Sequence, residues 1–321
     1  MMFLDSSLQT ALAVFIERWL GYPKFLFVLF GHPVQWMGSL ITYLDTQFNT
    51  TPHIKNMSRV NGLLALFLLI FAVWCVSAIL HLICQAIPYG FVLNALFAST
   101  LIAQKSLRDH VKKVSVALGH SVAQGRVAVS EIVGRDTQGL DASGIVKATL
   151  ESLAENTADG IVAPVFWYAL FGLPGLAIYK AINTADSMIG HKSFQYRHFG
   201  WAAAKLDDLV NLPASRITAL LFAGGAWFKG TRHAKAALKT AWRDAGKHRS
   251  PNAGWPEAAM AGALGLRFGG PRTYDGEFLK LPYMGDGRDH FLRTDIDVAL
   301  KLYDRTLWVL CAVTIALIFV L

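Results

Sequence analysis

Along this chain the polar and apolar positions are sorted into long blocks. Between Arg59 and Lys105 there is no Asp, Glu, Lys or Arg for 45 residues. A helix rises ~1.5 Å per residue and one membrane crossing takes about 20 residues. The window from Val60 to Gln104 therefore predicts two spans and a tight turn at Pro88-Tyr89-Gly90, with Pro88 in the first turn of the second span. A second uncharged block runs from Thr306 to Leu321, beside Arg305 and Trp308 as interfacial charge and ring, and predicts a C-terminal membrane helix over 305–321. Leu8 to Gly31, interrupted by Glu17, Arg18 and Lys24, predicts a further membrane element. No basic stretch precedes it and no small-residue cleavage site follows, so it does not read as a removed leader.

Gly160 to Tyr179 is also uncharged, but Gly172-Leu173-Pro174-Gly175 breaks it. One kinked span fits, and so do two half-length helices that enter and leave on the same side. The second reading requires protein or a cavity to cover the polar backbone at the break. Ile217 to Phe228 is too short to cross unless Leu209 to Arg216 helps. No convincing run of alternating strands appears, so the fold class is an all-α integral membrane protein with about four or five membrane helices.

Composition supports this. The chain is 54% hydrophobic and 16% charged, against roughly 25% charged in soluble domains, and its mean hydropathy is +0.38. Its three cysteines, Cys75, Cys84 and Cys311, exclude a disulfide scaffold, show no zinc spacing and sit in apolar blocks as small hydrophobes. The net charge of +8 comes mostly from two basic segments, 105–150 (Lys105, Arg108, Lys112, Lys113, Arg126, Arg135, Lys147) and 229–305. The positive-inside rule places both in the cytoplasm, with the turn between the paired spans outward and 31–59 inward. The organisation expected is membrane helices in 1–104, a cytoplasmic helical segment with an acidic face in 105–158, a broken membrane segment in 159–228, a basic cytoplasmic segment in 229–304, and the last helix in 305–321.

The polar residues most dense in chemistry lie between Gly134 and Arg216. Glu151, Glu155 and Asp159 are spaced i, i+4, i+8, which puts them on one helix face where like charges repel. A solvated face is the bland account; a bound cation is the functional one, favoured because the stripe runs directly into an apolar segment. Beyond the break come Lys180, Asn183, Thr184, Asp186 and Ser187, either helix capping or, if the break is a hairpin, the other wall of a site. Asp207, Asp208 and Asn211 form a third set, followed by Pro213 and Arg216. Oxygen-rich sets of this kind suit Mg²⁺ shared with a nucleotide's phosphates, with Lys180, Lys192 and Arg216 pairing anionic oxygens.

Residues 229–249 carry a basic stripe of Lys229, Arg232, Lys235, Lys239, Arg243 and Lys247, with Leu238 and Trp242 off it. It reads as an interfacial helix on anionic lipid in preference to nucleic acid, for which no module is present. The small residues from Ala258 to Gly265 allow close approach by another helix or by a flat ligand, the helix being favoured. Gly269-Gly270 and Tyr274-Asp275-Gly276 read as turns, and His32 as structural.

These stretches resemble the adenosylcobinamide-phosphate synthases of cobalamin biosynthesis, the CobD/CbiB family. The resemblance lies in Gly31-His32-Pro33-Val34 with Met37-Gly38, Gly134-Arg135-Asp136-Thr137, and Glu151 through Asn156 with Asp159-Gly160. It continues in Tyr179 through Gly190, Phe199-Gly200-Trp201, Asp207-Asp208, Asn211 through Arg216, and Ser250 through Gly265. One departure is visible: Glu17-Arg18 and Gly21-Tyr22-Pro23 stand where the family often has Asp-Arg and Gly-Asp-Pro, so no role for that second acid carries over.

The resemblance implies an ATP-dependent ligase of the inner membrane with its site facing the cytoplasm. It would join adenosylcobyric acid to (R)-1-amino-2-propanol or its O-phosphate, alone or with a soluble partner or a second copy. Such a site needs an activated carboxylate, Mg²⁺ and cationic clamps for the phosphoryl group, and a base for the amine. On this basis Glu155, Asp159, Asp207 and Asp208 are expected to hold Mg²⁺, and Lys180, Lys192 and Arg216 to pair with phosphate. Glu151 or Asp186 is the expected base, Asn156, Asn183 and Asn211 orient ligands, and the helix from Ala258 to Gly265 meets the corrin's edge. A cytoplasmic site favours the re-entrant reading of 160–182. The rival readings are an ion-coupled transporter, for which no paired repeat halves are found, and a non-catalytic membrane regulator on the same scaffold.

Overall fold

The longest uncharged block builds one long helix and one short one. The structure is a computed structural model and describes residues 2–134, 136–274, 277–279 and 281–320. Its helices, in chain order, begin with α1 (Met2–Leu20), α2 (Lys24–Phe30), α3 (Pro33–Phe48), α4 (Lys55–Ala86), α5 (Gly90–Ser99), α6 (Gln104–His120), α7 (Val122–Ser130) and α8 (Ala142–Thr157). A π-helical turn (Ala158–Val162) leads into α9 (Ala163–Ile189), followed by α10 (Trp201–Val210), α11 (Leu212–Trp227), α12 (Thr231–Asp244) and α13 (Gly254–Leu264). Four short strands come next, β1 (Phe268–Gly269), β2 (Arg272–Tyr274), β3 (Glu277–Leu279) and β4 (Tyr283–Met284), and then α14 (Arg293–Val320).

The protein is an all-α integral membrane protein. Phe25–Phe48, Lys55–Ala86, Ala142–Ile189 and Arg293–Phe319 are each long and apolar enough to cross a membrane, and the α10–α11 pair, bent by 43°, makes a fifth if it is one broken span. Three boundaries differ from those the pattern predicts. The 45-residue block holds one span, not two, because α5 has only 10 residues, about 15 Å of helix. The N-terminal span is Phe25–Phe48 and not Leu8–Gly31, so much of 31–59 is helix and not an inward loop; the charges of Glu17 and Arg18 fall inside α1, whereas 25–44 carries no acid and only Lys24 beside it. The last helix starts a dozen residues earlier than Arg305, its first turns being polar.

Polar side chains explain the short α5. Tyr168 Oη donates to Asn94 Oδ1 (2.8 Å), and Asn94 Nδ2 meets His81 Nδ1 at 2.7 Å. Asn94 is 1% exposed, so this helix is anchored inside the protein by its amide.

The chain forms two compact units. One contains residues 1–103, 163–211 and 314–321; the other contains 104–162 and 212–313. In the first, α4 packs with α3, α5, α9 and α10. The break expected at 172–175 is present: Gly172 leaves the helical conformation (φ 64°, ψ −158°), a positive φ that favours glycine. A Cβ on Gly175 would lie 2.8 Å from the Trp167 carbonyl oxygen. In an unbroken helix those two residues would be about 12 Å apart along the axis, so the chain turns back sharply there.

The second unit packs α12 against α13 and α11, with α6, α7 and α8 alongside one another. Asp141 caps α8 by accepting from Gly144 N (2.7 Å), the usual use of an acid at that position. The strands form two antiparallel pairs, β1 with β4 and β2 with β3. Two- or three-residue strands are too short to show alternation, so they read only as turns in the sequence. Arg135, and Asp275-Gly276 of an expected turn, lie outside the described residues.

Candidate active site

The second arm of α9 places Tyr179, Asn183 and Asp186 on one face, at i, i+4 and i+7. Asp207 lies on α10, and Asn211 closes that helix, its N–H donating to the Asp207 carbonyl (3.1 Å). Asn183 Nδ2 donates to Asp207 Oδ1 at 3.3 Å, and Lys180 Nζ approaches Asn183 Oδ1 at 3.5 Å. Tyr179 Oη donates to Asn211 Oδ1 at 2.8 Å. Asp207 is 8% exposed, and Asp186 is the like charge that acts on it most strongly, Asp208 a weaker one. Among the described residues no cation bonds Asp207. Gly190 shapes the same place, because a Cβ there would overlap Asp186 Oδ1.

Asp208, half-buried, meets the exposed Lys205 at 3.8 Å. Lys192 is exposed and is not gathered into this cluster. The sequence assigns Tyr179 no role, yet its ring is 1% exposed and its hydroxyl fixes Asn211. Its spacing of four from Asn183 is the signal that marks it.

The other unit holds the remaining predicted residues, and they do different things. Glu151 is buried and accepts from Gly269 N at 2.9 Å, while Lys147, four residues earlier, donates to the Gly269 carbonyl. Together they clamp β1 onto α8, so Glu151, one of the two expected bases, also serves as a packing acceptor. Glu155 is exposed and Asp159 half-buried in the π turn; such single turns insert a residue into a helix and are frequent at functional sites. Asn156 Nδ2 bonds back to Ser152, to its carbonyl (2.9 Å) and its hydroxyl (3.0 Å).

Arg216 donates through Nη1 to Asn252 Oδ1 (3.0 Å), Ser215 Oγ (2.9 Å) and the Leu212 carbonyl (3.1 Å), and lies over the Trp255 ring at 5.0 Å. Asn252 and Trp255, inside the Ser250–Gly265 block but given no role by the sequence pattern, thus position Arg216. The small residues 258–263 are spent on packing: all but Gly262 are buried at 2% or less, and a Cβ on Gly262 would collide with α12. Leu264 and Gly265, the end of the run, remain open. In the basic stripe, Arg243 and Lys247 pair with Asp244, and Trp242, expected off the stripe, is 84% exposed.

Among the described residues no group of three or more His, Cys, Asp or Glu is arranged to hold a metal. Mg²⁺ carried with substrate phosphates takes only one or two protein carboxylates. Asp186 with Asp207, or Glu155 with Asp159, fits that need, whereas an all-protein cage does not.

This is a membrane protein whose α9–α10 face buries an aspartate among amides and a tyrosine, beside a second aspartate and a lysine. The chain belongs to the CobD/Cbib protein family, whose model matches residues 10–303. A protein of Sinorhizobium sp. named Cobalamin biosynthesis protein CobD is 47% identical over 297 residues, covering 91% of this chain and 92% of that one. Proteins of the same name from Sinorhizobium fredii and Rhodobacter capsulatus are 44% and 42% identical, covering 99% and 95% of this chain and 98% and 95% of their own. No solved structure matches the chain.

Proposed function

We propose that this protein works in cobalamin biosynthesis as an ATP-dependent amide ligase of the bacterial inner membrane, with its site on the cytoplasmic side. Its substrates are adenosylcobyric acid and (R)-1-amino-2-propanol or the O-phosphate of that amine. The reading is supported by the family, and it is carried by one observation: Asp207 is buried among neutral donors with Asp186 as its charged neighbour. Burying a carboxylate without a cation is costly, and a substrate complex that brings positive charge removes that cost.

Amide formation requires the corrinoid carboxylate to be activated and the amine to lose one proton as its nitrogen bonds the carbonyl carbon. Bound with the phosphates, Mg²⁺ would supply charge neutralisation, and Asp207 would hold it in this unit. Lys180 pairs with anionic oxygens. Asn183 keeps the Asp207 carboxylate oriented, and Tyr179 does the same for Asn211. With Glu151 tied to Gly269, Asp186 is the better placed of the two acids to accept the amine's proton.

The test is turnover by the detergent-purified protein given adenosylcobyric acid, Mg²⁺, ATP and each amine in turn, read by mass spectrometry. An ATP-dependent mass gain equal to the amine minus water is expected with one of the two amines. No gain with either, while the corrinoid stays bound, contradicts the ligase reading.

A further inference from the structure

Eight side-chain atoms among the described residues are buried without a hydrogen-bond partner by geometry, and five of them sit in one corner: Asn49 Oδ1, Thr51 Oγ1, Ser58 Oγ, Arg59 Nε and His198 Nδ1. An unsatisfied buried polar atom is costly, so a cluster of them marks a place where something else bonds. Ser58 is 1% exposed. It lies one turn before Gly62 on the same face of α4, and that glycine abuts the Phe199 backbone. Asn49 Nδ2 reaches the Gln195 carbonyl at 3.4 Å, which ties the end of α3 to the same 190–200 loop.

The corner is cationic. Lys55 opens α4, whose first turn has no side-chain cap, Ile54 standing at that position. The uncapped N–H groups there favour an anion. Arg59 stacks on Trp201 at 4.8 Å. His198 is held below its ordinary pKa by burial first, then by the charges of Arg197, Arg59 and Lys55. The acid nearby is Asp45, whose oxygens already accept from Asn49 Nδ2 (2.9 Å) and Tyr196 Oη (3.1 Å).

We propose that Ser58, Arg59, Arg197 and His198, with Lys55 at the start of α4, form a binding site for a phosphate group. Guanidinium, hydroxyl and imidazole donors around one oxyanion are the usual chemistry of such a site. Asn49 Oδ1, which can only accept, suits the P–OH of a monoanion. The phosphate belongs to a small soluble ester or to a lipid headgroup. The site stands independently of the ligase reading, since inorganic phosphate alone should fill it.

The full chain in neutral detergent is titrated with inorganic phosphate, against chloride at equal ionic strength, while its thermal midpoint is followed. In parallel it is titrated with phosphatidylglycerol in mixed micelles, against phosphatidylcholine. Ligand that binds the folded state raises the midpoint. Arg197→Gln, which leaves the Arg59–Trp201 stack intact, and Ser58→Ala should each weaken that response, the arginine by about tenfold in affinity. Stabilisation by inorganic phosphate assigns the site to a soluble ester; stabilisation by phosphatidylglycerol alone assigns it to a headgroup. No stabilisation by either, or stabilisation that both variants retain in full, overturns the proposal.

Discussion

Two buried aspartates, one in each unit, show how differently the same group is used. Asp244 is 0% exposed and fully compensated: Arg243 Nη2 and Lys247 Nζ reach it at 2.6 and 2.7 Å, and Gly285 N–H donates at 2.8 Å. Burial pushes its pKa up, but Arg243, Gly285 and Lys247 outweigh burial and hold it well below the carboxylate range. Asp207, 8% exposed, has an amide donor from Asn183 and the repulsion of Asp186. The first carboxylate is a structural tie between α12 and the β4 region. The second has amide donors but no cation among the described residues, which is a cost that packing alone does not explain.

Asp244→Asn attacks the structural side of the comparison and should have the largest effect on folding. It leaves Arg243 and Lys247 facing a neutral group, and a broken buried pair costs about 3–5 kcal/mol. Both cations are roughly two-fifths exposed and re-solvate in part, so about 2–3 kcal/mol is expected, read from the thermal midpoint in detergent. Acid titration sharpens the same point. With the folded pKa of Asp244 below the unfolded value of about 3.9, its stabilisation is complete above about pH 5 and is lost as pH falls through that range. The wild type should therefore lose thermal stability more steeply than Asp244→Asn between about pH 5 and pH 2. Parallel curves would remove the tie.

On the other side, Tyr179→Phe deletes the one hydroxyl that satisfies Asn211 Oδ1. A stability cost of about 1–2 kcal/mol and a roughly tenfold fall in turnover are expected, the second distinguishing a site residue from mere packing. The smallest effect belongs to Lys205→Ala. Its ion pair with Asp208 spans 3.8 Å on the surface, with the lysine 65% exposed; less than about 0.5 kcal/mol is expected. A large loss there would move the site toward Asp208.

Much of this was legible in the sequence where a charge or its absence decides the matter. The membrane class and the break at Gly172 follow from spacing, as do the two polar sets, Lys180 with Asn183 and Asp186, and Asp207 with Asn211, though not that these two sets meet. What failed depends on partners distant in the chain. Hydropathy reads the second half of the 60–104 block as a span, whereas α5 stops after 10 residues and turns one face, with Asn94 on it, inward to Tyr168 and His81. The Glu151 stripe looks like an acid site until Gly269, 118 residues later, occupies it. Lys147, at i−4, was the available warning. Asn252 and Trp255 hold Arg216 from 36 and 39 positions away, a separation that no periodicity encodes.

The central claim is that Asp207 serves the reaction and Asp244 the fold. It is tested by making Asp207→Asn and Asp244→Asn side by side and measuring amide formation and thermal midpoint on the same detergent-purified samples. Asp207→Asn should lose turnover by roughly a hundredfold or more with its midpoint kept or raised, and Asp244→Asn should lose midpoint while the folded fraction still turns over. Turnover that survives in Asp207→Asn, or a collapse of its fold, would contradict the account.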